Sequence, residues 1–150
     1  MSKIVQDAPK RAEWMAQFLK SSGYKADFST KSLRDIDRFL DEHSRNGQAV
    51  AGGLLAEQFG PRMFGLGAYV GEVILRSKGG HWHGDDADPR AEINIQLVFP
   101  DGASCWPVQG VMKRFRNGKV DSIVAFAQEF GRADRSEHVR RRKKPWWKFW

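Results

Sequence analysis

Residues 64–82, reading F-G-L-G-A-Y-V-G-E-V-I-L-R-S-K-G-G-H-W, place the tightest constraint on what this chain can fold into. Met63, Leu66, Val70, Val73, Ile74 and Ser77 recur at helical spacing, and Phe64, Ala68 and Leu75 add apolar surface on other sides. A helix apolar around most of its circumference belongs inside a core. The spacing predicts that helix over residues 62–77, stopped by Gly79-Gly80. Gly67 and Gly71 lie four apart on one face, where the missing side chains let another element come close to the backbone. A glycine inside a helix costs about 0.5–1 kcal/mol relative to alanine, so close packing is the expected compensation.

Beyond Gly80 the period changes to two. Ile93, Ile95, Leu97 and Phe99 alternate with Glu92, Asn94 and Gln96, the pattern of a strand with one buried face. Pro100, Asp101, Gly102 and Ala103 form a turn, residues 104–108 return antiparallel, and His81, Trp82 and His83 supply a third strand across an acidic loop.

Upstream, a first helix is expected over residues 9–20, with Asp7 as cap, Pro9 in the first turn, and Trp14, Phe18 and Leu19 inward. A second helix begins near Ser29 or Thr30. It buries Leu33, Ile36, Phe39 and Leu40 and turns Arg34, Asp35, Asp37, Arg38, Asp41 and Glu42 to solvent. Asn46-Gly47 closes it, and residues 49–59 suggest another short helix. After Pro107, a helix through Val108, Val111, Met112 and Phe115 ends at Asn117-Gly118, and a last one runs from about Asp121 to Gly131. The expectation is an α+β domain over residues 1–131. It comprises N-terminal helices, a central buried helix, a three-stranded antiparallel sheet and two C-terminal helices. A chain of 150 residues buries about 70 % of the surface its unfolded form exposes, enough for one core without staples.

The net charge of +7 is unevenly placed. Residues 132–150 hold 8 Lys+Arg and 2 Asp+Glu, whereas residues 1–131 hold 17 and 16, so the body is nearly neutral and the basicity belongs to the tail. Arg140, Arg141, Arg142, Lys143 and Lys144 run consecutively, and Pro145, Trp146, Trp147, Lys148, Phe149 and Trp150 follow. Three partners fit this chemistry: an anionic membrane surface, where indoles favour the headgroup region; a protein surface; or, less favoured, single-stranded nucleic acid. One cysteine, Cys105, excludes an intramolecular disulfide and reads as a small strand residue. With neither a signal-peptide pattern nor an apolar run of spanning length, the expected location is cytoplasmic, including the inner face of the membrane.

In the body, Glu72 is the one acid within the central helix and the candidate acid or base, in a ligand or partner site with Tyr69, Arg76 and Trp82. Arg76, four residues on, accounts for Glu72 equally well as an ion pair. His81, His83 and Asp85 could ligate a metal, though their spacing fits no standard ligand motif, and an acidic surface loop explains them without one. No phosphate-binding, dinucleotide, zincin or nucleophile-elbow motif is present, so no cofactor is implied.

Several segments together resemble a set of small bacterial proteins known as domains of unknown function. They are residues 67–73 (G-A-Y-V-G-E-V), 79–82 (G-G-H-W), 107–108 (P-V), 113–118 (K-R-F-R-N-G) and 121–123 (D-S-I), with 32–37 (S-L-R-D-I-D) upstream. The resemblance spans residues 12–130, omits the tail and carries no catalytic residue or cofactor with it. The residues themselves are read as those of a non-enzymatic binding or accessory protein, the alternatives being a small enzyme or ligand-binding domain with Glu72 in a pocket, or nucleic-acid binding through the tail.

Overall fold

A computed structural model describes residues 2–131, and the tail lies outside that range. Its elements in chain order are α1 (Lys3–Ser21), α2 (Leu33–His43), β1 (Ser44–Arg45), β2 (Gln48–Ala49), α3 (Phe59–Lys78), β3 (His81–His83), α4 (Ala91–Asn94), β4 (Gln96–Val98), β5 (Ser104–Cys105), α5 (Pro107–Asn117) and α6 (Ile123–Gly131). Short 3-10 turns at Thr30–Ser32 and Gly118–Asp121 lead into α2 and α6. The architecture is α+β, as the change of period predicts.

Helix α3 is the central buried element. Eleven of its 20 residues are buried, and they are contiguous from Met63 to Gly71 before continuing at Val73 and Ile74. Its glycines mark where neighbours press in. A methyl group on Gly65 would lie 2.8 Å from the Met15 side chain of α1. One on Gly67 would lie 2.5 Å from Val108 Cα at the start of α5, and one on Gly71 would lie 2.2 Å from the Trp82 ring. Contacts under 3.0 Å are essentially never made by real Cβ atoms. The three glycines therefore admit α1, α5 and the sheet to the backbone of one helix, which is the compensation expected for their helix cost.

The sheet order is β3-β4-β5, antiparallel throughout. Its register pairs Trp82 with Leu97 and Leu97 with Cys105. Those three side chains share the buried face with Ile95 and Phe99. The turn after β4 is closed by Gly102 N–H to Phe99 O (2.9 Å) and Phe99 N–H to Ala103 O (2.8 Å).

Five sequence expectations are corrected. Helix α1 starts at Lys3 rather than at Pro9, which sits inside it, and Asp7 does not cap it. Ser2 accepts Val5 N–H, and the Asp86 carboxylate accepts Lys3 N–H (2.7 Å) and Ile4 N–H (2.9 Å). A carboxylate from the loop after β3 thus satisfies first-turn donors 83 residues away. The inward face of α1 is Ile4, Ala8, Ala12, Met15, Ala16 and Leu19, while Trp14 is 38 % exposed. Met15 on that face packs into the space left by Gly65 of α3.

Asn46-Gly47 does not end α2, which stops at His43 with Ser44 as its C-cap. Asn46 and Gly47 have positive φ (54° and 75°) and form the two-residue turn of the β1–β2 hairpin, for which Asn-Gly is the favoured pair. Residues 50–58, expected as a short helix with their neighbours, are turns instead. Arg62 holds them by donating to the carbonyls of Leu54 (2.6 Å) and Glu57 (3.3 Å). Finally, the strand expected from Ile93 begins at Gln96. Ala91–Asn94 is a single helical turn organised by Asp88, which accepts Arg90 N–H (2.8 Å) and Asn94 Nδ2 (2.8 Å).

Candidate functional site

Tyr69, Glu72 and Arg76 follow one another along α3 at i, i+3 and i+7, and Trp82 comes to them from β3. Trp82 is the inward residue of a three-residue strand, and the space above Gly71 receives its ring edge. The indole Nε1–H then donates to Glu72 Oε2 at 2.8 Å. Arg76 Nε lies 3.9 Å from Glu72 Oε1, and its guanidinium also reaches Glu13 of α1 at 3.5 Å. The same guanidinium lies over the Phe28 ring, 3.7 Å from its centroid. Both oxygens of Glu72 are therefore engaged, and its side chain is only 15 % exposed. This chain of indole, carboxylate and guanidinium ties β3, α3, α1 and the 24–29 segment together. The ion-pair reading of Glu72 is the one that matches this geometry, with an indole hydrogen bond added to it. A reacting substrate would have to displace one of these partners.

Tyr69 is not part of that surface. It is wholly buried, its ring is tilted against Phe28 with centroids 4.7 Å apart, and its hydroxyl accepts Phe28 N–H (2.9 Å) and bonds Ser32 Oγ (2.6 Å). Phe28 has φ +63°, an unfavourable region for a bulky residue, and Tyr69 supplies the contacts that hold it there. Burial raises the Tyr69 pKa despite the opposing hydrogen bonds from Ser32 and Phe28. Tyr69 is thus a core residue, not a ligand-facing one.

His81 and His83 are exposed on the outer face of β3, and the carboxylates of the acidic loop beside them accept backbone N–H groups of the loop and of α1. Asp85 accepts Ala87 N–H (2.9 Å), Asp86 caps α1 and Asp88 caps the α4 turn. These bonds hold two carboxyls below the usual range, Asp86 chiefly through Ile4 and Lys3 N–H and Asp88 chiefly through Asn94. No group of three potential ligands converges among the described residues, so His81, His83 and Asp85 do not assemble into a metal centre there. Cys105 is buried in β5, as a small strand residue would be.

Two clusters were not read from the sequence. Asp37, assigned to a solvated face, instead faces α5 and α6. It accepts Arg114 Nε (2.9 Å), Ile123 N–H (2.8 Å), Val124 N–H (3.1 Å) and Ser122 Oγ (3.1 Å). Arg114 is 2 % exposed and also donates to Asp41. Burial alone would lower the Arg114 pKa, but the bonds and charges of Asp41 and Asp37 outweigh it and raise it. A signal existed, since Asp37 and Asp41 are like charges at i, i+4, an arrangement that calls for a cation from elsewhere.

The second cluster is His43, Tyr24 and Glu42. Leu54 N–H donates to His43 Nδ1 (3.0 Å), so Nε2 carries the proton toward the Tyr24 hydroxyl (3.0 Å), and that hydroxyl in turn bonds Glu42. Burial lowers the His43 pKa, and burial with the Glu42 bond pushes Tyr24 up to about 12. The arrangement pins the loop after β2 to α2.

With this geometry established, comparison with known proteins adds no further constraint: no family model, curated protein or solved structure matches the chain.

Proposed function

We propose that this is a non-enzymatic binding or accessory protein of the bacterial cytoplasm, carried to the inner face of the membrane by its basic, tryptophan-rich residues. Arg140, Arg141, Arg142, Lys143, Lys144 and Lys148 supply attraction to anionic lipid, and Trp146, Trp147 and Trp150 supply headgroup-level anchors. These tail residues lie outside the described range, so the reading rests on their chemistry and on one observation in the body. Along α1, Arg11 lies over the Trp14 ring (5.1 Å to its centroid), Trp14 stacks on Phe18 (centroids 6.2 Å apart, planes 12° apart) and Arg62 lies over Phe18 (4.4 Å). Trp14 is 38 % exposed, and Phe59, at the first turn of α3, is 40 % exposed. This ladder of cations and rings repeats on the body the composition of the tail, and it suits an amphipathic, negatively charged surface. Among the described residues no helix is long and apolar enough to cross a bilayer, and the proposed association is accordingly peripheral. The engagement of both Glu72 oxygens supports a binding role over a catalytic one.

The test is co-sedimentation with vesicles containing phosphatidylglycerol and with purely zwitterionic vesicles. The full chain is expected to sediment with the first and not the second. Each basic residue near such a surface contributes about 1 kcal/mol, so replacing residues 140–144 by glutamine should weaken binding by at least a hundredfold. Replacing Trp146, Trp147 and Trp150 by serine should weaken it further. Equal sedimentation of all variants, or none by the full chain, overturns the proposal. Stronger retention on single-stranded nucleic acid than on vesicles at matched salt also overturns it, in favour of a nucleic-acid partner.

A further inference from the structure

A groove of about 470 Å³ lies between the start of α2, the C-terminal half of α3 and α6, on a different face from Glu72. Its floor is apolar: Leu33, Val73 and Ile74 are buried beneath it, and Ala127 of α6 forms part of the wall. Two exposed cations, Lys31 and Arg34, stand on the α2 side. Several cations of the body are engaged by carboxylates: Arg38 pairs with Asp35 and Glu42, Arg76 with Glu13, and Lys113 with Asp121. Lys31 and Arg34 have no such partner among the described residues. Among the described residues no acidic side chain lines the groove.

We propose that this groove binds an amphiphilic anion, an alkyl chain of medium length ending in a carboxylate. The chain lies along Leu33, Val73 and Ile74, and the headgroup sits between Lys31 and Arg34. The volume falls within the range of small-molecule sites. An apolar floor with a two-cation rim discriminates in both parts of the ligand. The floor rewards chain length, each buried methylene being worth up to about fourfold in affinity, and the rim rewards a negative head, with Arg34 able to present a forked pair of donors to a carboxylate. The proposal is independent of the tail: it concerns a monomeric ligand and a face of the body, not a bilayer.

Titration calorimetry on the full chain with octanoate, decanoate and decanol, below their aggregation limits, tests it. Decanoate is expected to bind at least tenfold tighter than decanol, and octanoate roughly fourfold to sixteenfold weaker than decanoate. The double variant Lys31→Glu/Arg34→Glu changes only exposed side chains and should cut decanoate affinity at least tenfold while leaving decanol unchanged. Ala127→Trp, which fills the groove, should weaken both, with a thermal melt confirming that it folds. Decanol binding as tightly as decanoate overturns the proposal, as does unchanged decanoate binding in the Lys31/Arg34 variant. Serine at Trp146, Trp147 and Trp150 should leave decanoate affinity unchanged. A loss there assigns the ligand to the tail and a gain assigns the groove to the tail itself, and either result overturns the proposal. Vesicle sedimentation depends on the tail and groove binding on Lys31 and Arg34, so failure of one leaves the other standing.

Discussion

Glu72 and Asp37 are both helix carboxylates bonded to an arginine, with nearly equal exposure (15 % and 18 %), yet they belong to different kinds of site. The partner of Glu72 is Arg76 of the same helix, 48 % exposed and shared with Glu13. The partner of Asp37 is Arg114, 77 residues away, 2 % exposed and shared with Asp41. An exposed pair contributes about 0–1 kcal/mol because water screens it and both side chains retain alternatives. A buried cation has no such alternative, and removing one side of its pairing leaves the other charge uncompensated. The depth of the arginine, not that of the carboxylate, separates a surface tether from a structural hub.

The sharpest break of this comparison is Arg114→Ala. It should cost about 3–5 kcal/mol in urea unfolding, because Asp37 and Asp41 lose their cation where α2, α5 and α6 meet. A loss below about 1 kcal/mol would put both clusters in the same class. Gly71→Ala comes next. A methyl group there must move the Trp82 ring, so a loss of about 1–3 kcal/mol is expected together with a changed near-ultraviolet circular dichroism signal. An unaltered spectrum would mean that the indole is not seated against α3. The smallest effect belongs to Glu72→Gln, which keeps an acceptor for the indole and loses only the exposed pairing with Arg76. Less than about 1 kcal/mol should be lost, and a larger loss would raise Glu72 to the rank of Asp37.

The elements that alternation and helical spacing could reach were legible. The core helix, the β3-β4-β5 order and the closing helices follow from runs such as Leu66, Val70 and Val73 or Ile95, Leu97 and Phe99, in which each residue's environment is set by its neighbours along the chain. Residues whose partner lies far away in sequence were read wrongly. Asp37 looked like part of a charged outer face because five charged residues, Arg34, Asp35, Arg38, Asp41 and Glu42, surround it in sequence. Trp14 looked inward because it is large and apolar, and Pro9 looked like a helix start because nothing local announces Asp86. In the candidate site, the meeting of Glu72 with Arg76 was written in their spacing. The Trp82 hydrogen bond was not, since it depends on how β3 folds back over Gly71, and the burial of Tyr69 depends on the 24–29 segment crossing it.

By itself the sequence determined the class of fold, the position of the central helix, the need for close neighbours at Gly67 and Gly71, and the segregation of charge into residues 132–150. These are properties of period, side-chain volume and net charge, which are set locally. Only the tertiary structure decided which element fills each notch, which carboxylates cap distant helices, which arginine is buried, and that Lys31 and Arg34 overlook an apolar groove. Those outcomes depend on pairings across tens of residues, where a polar group's energy is set by the partner that reaches it and by the water that partner excludes.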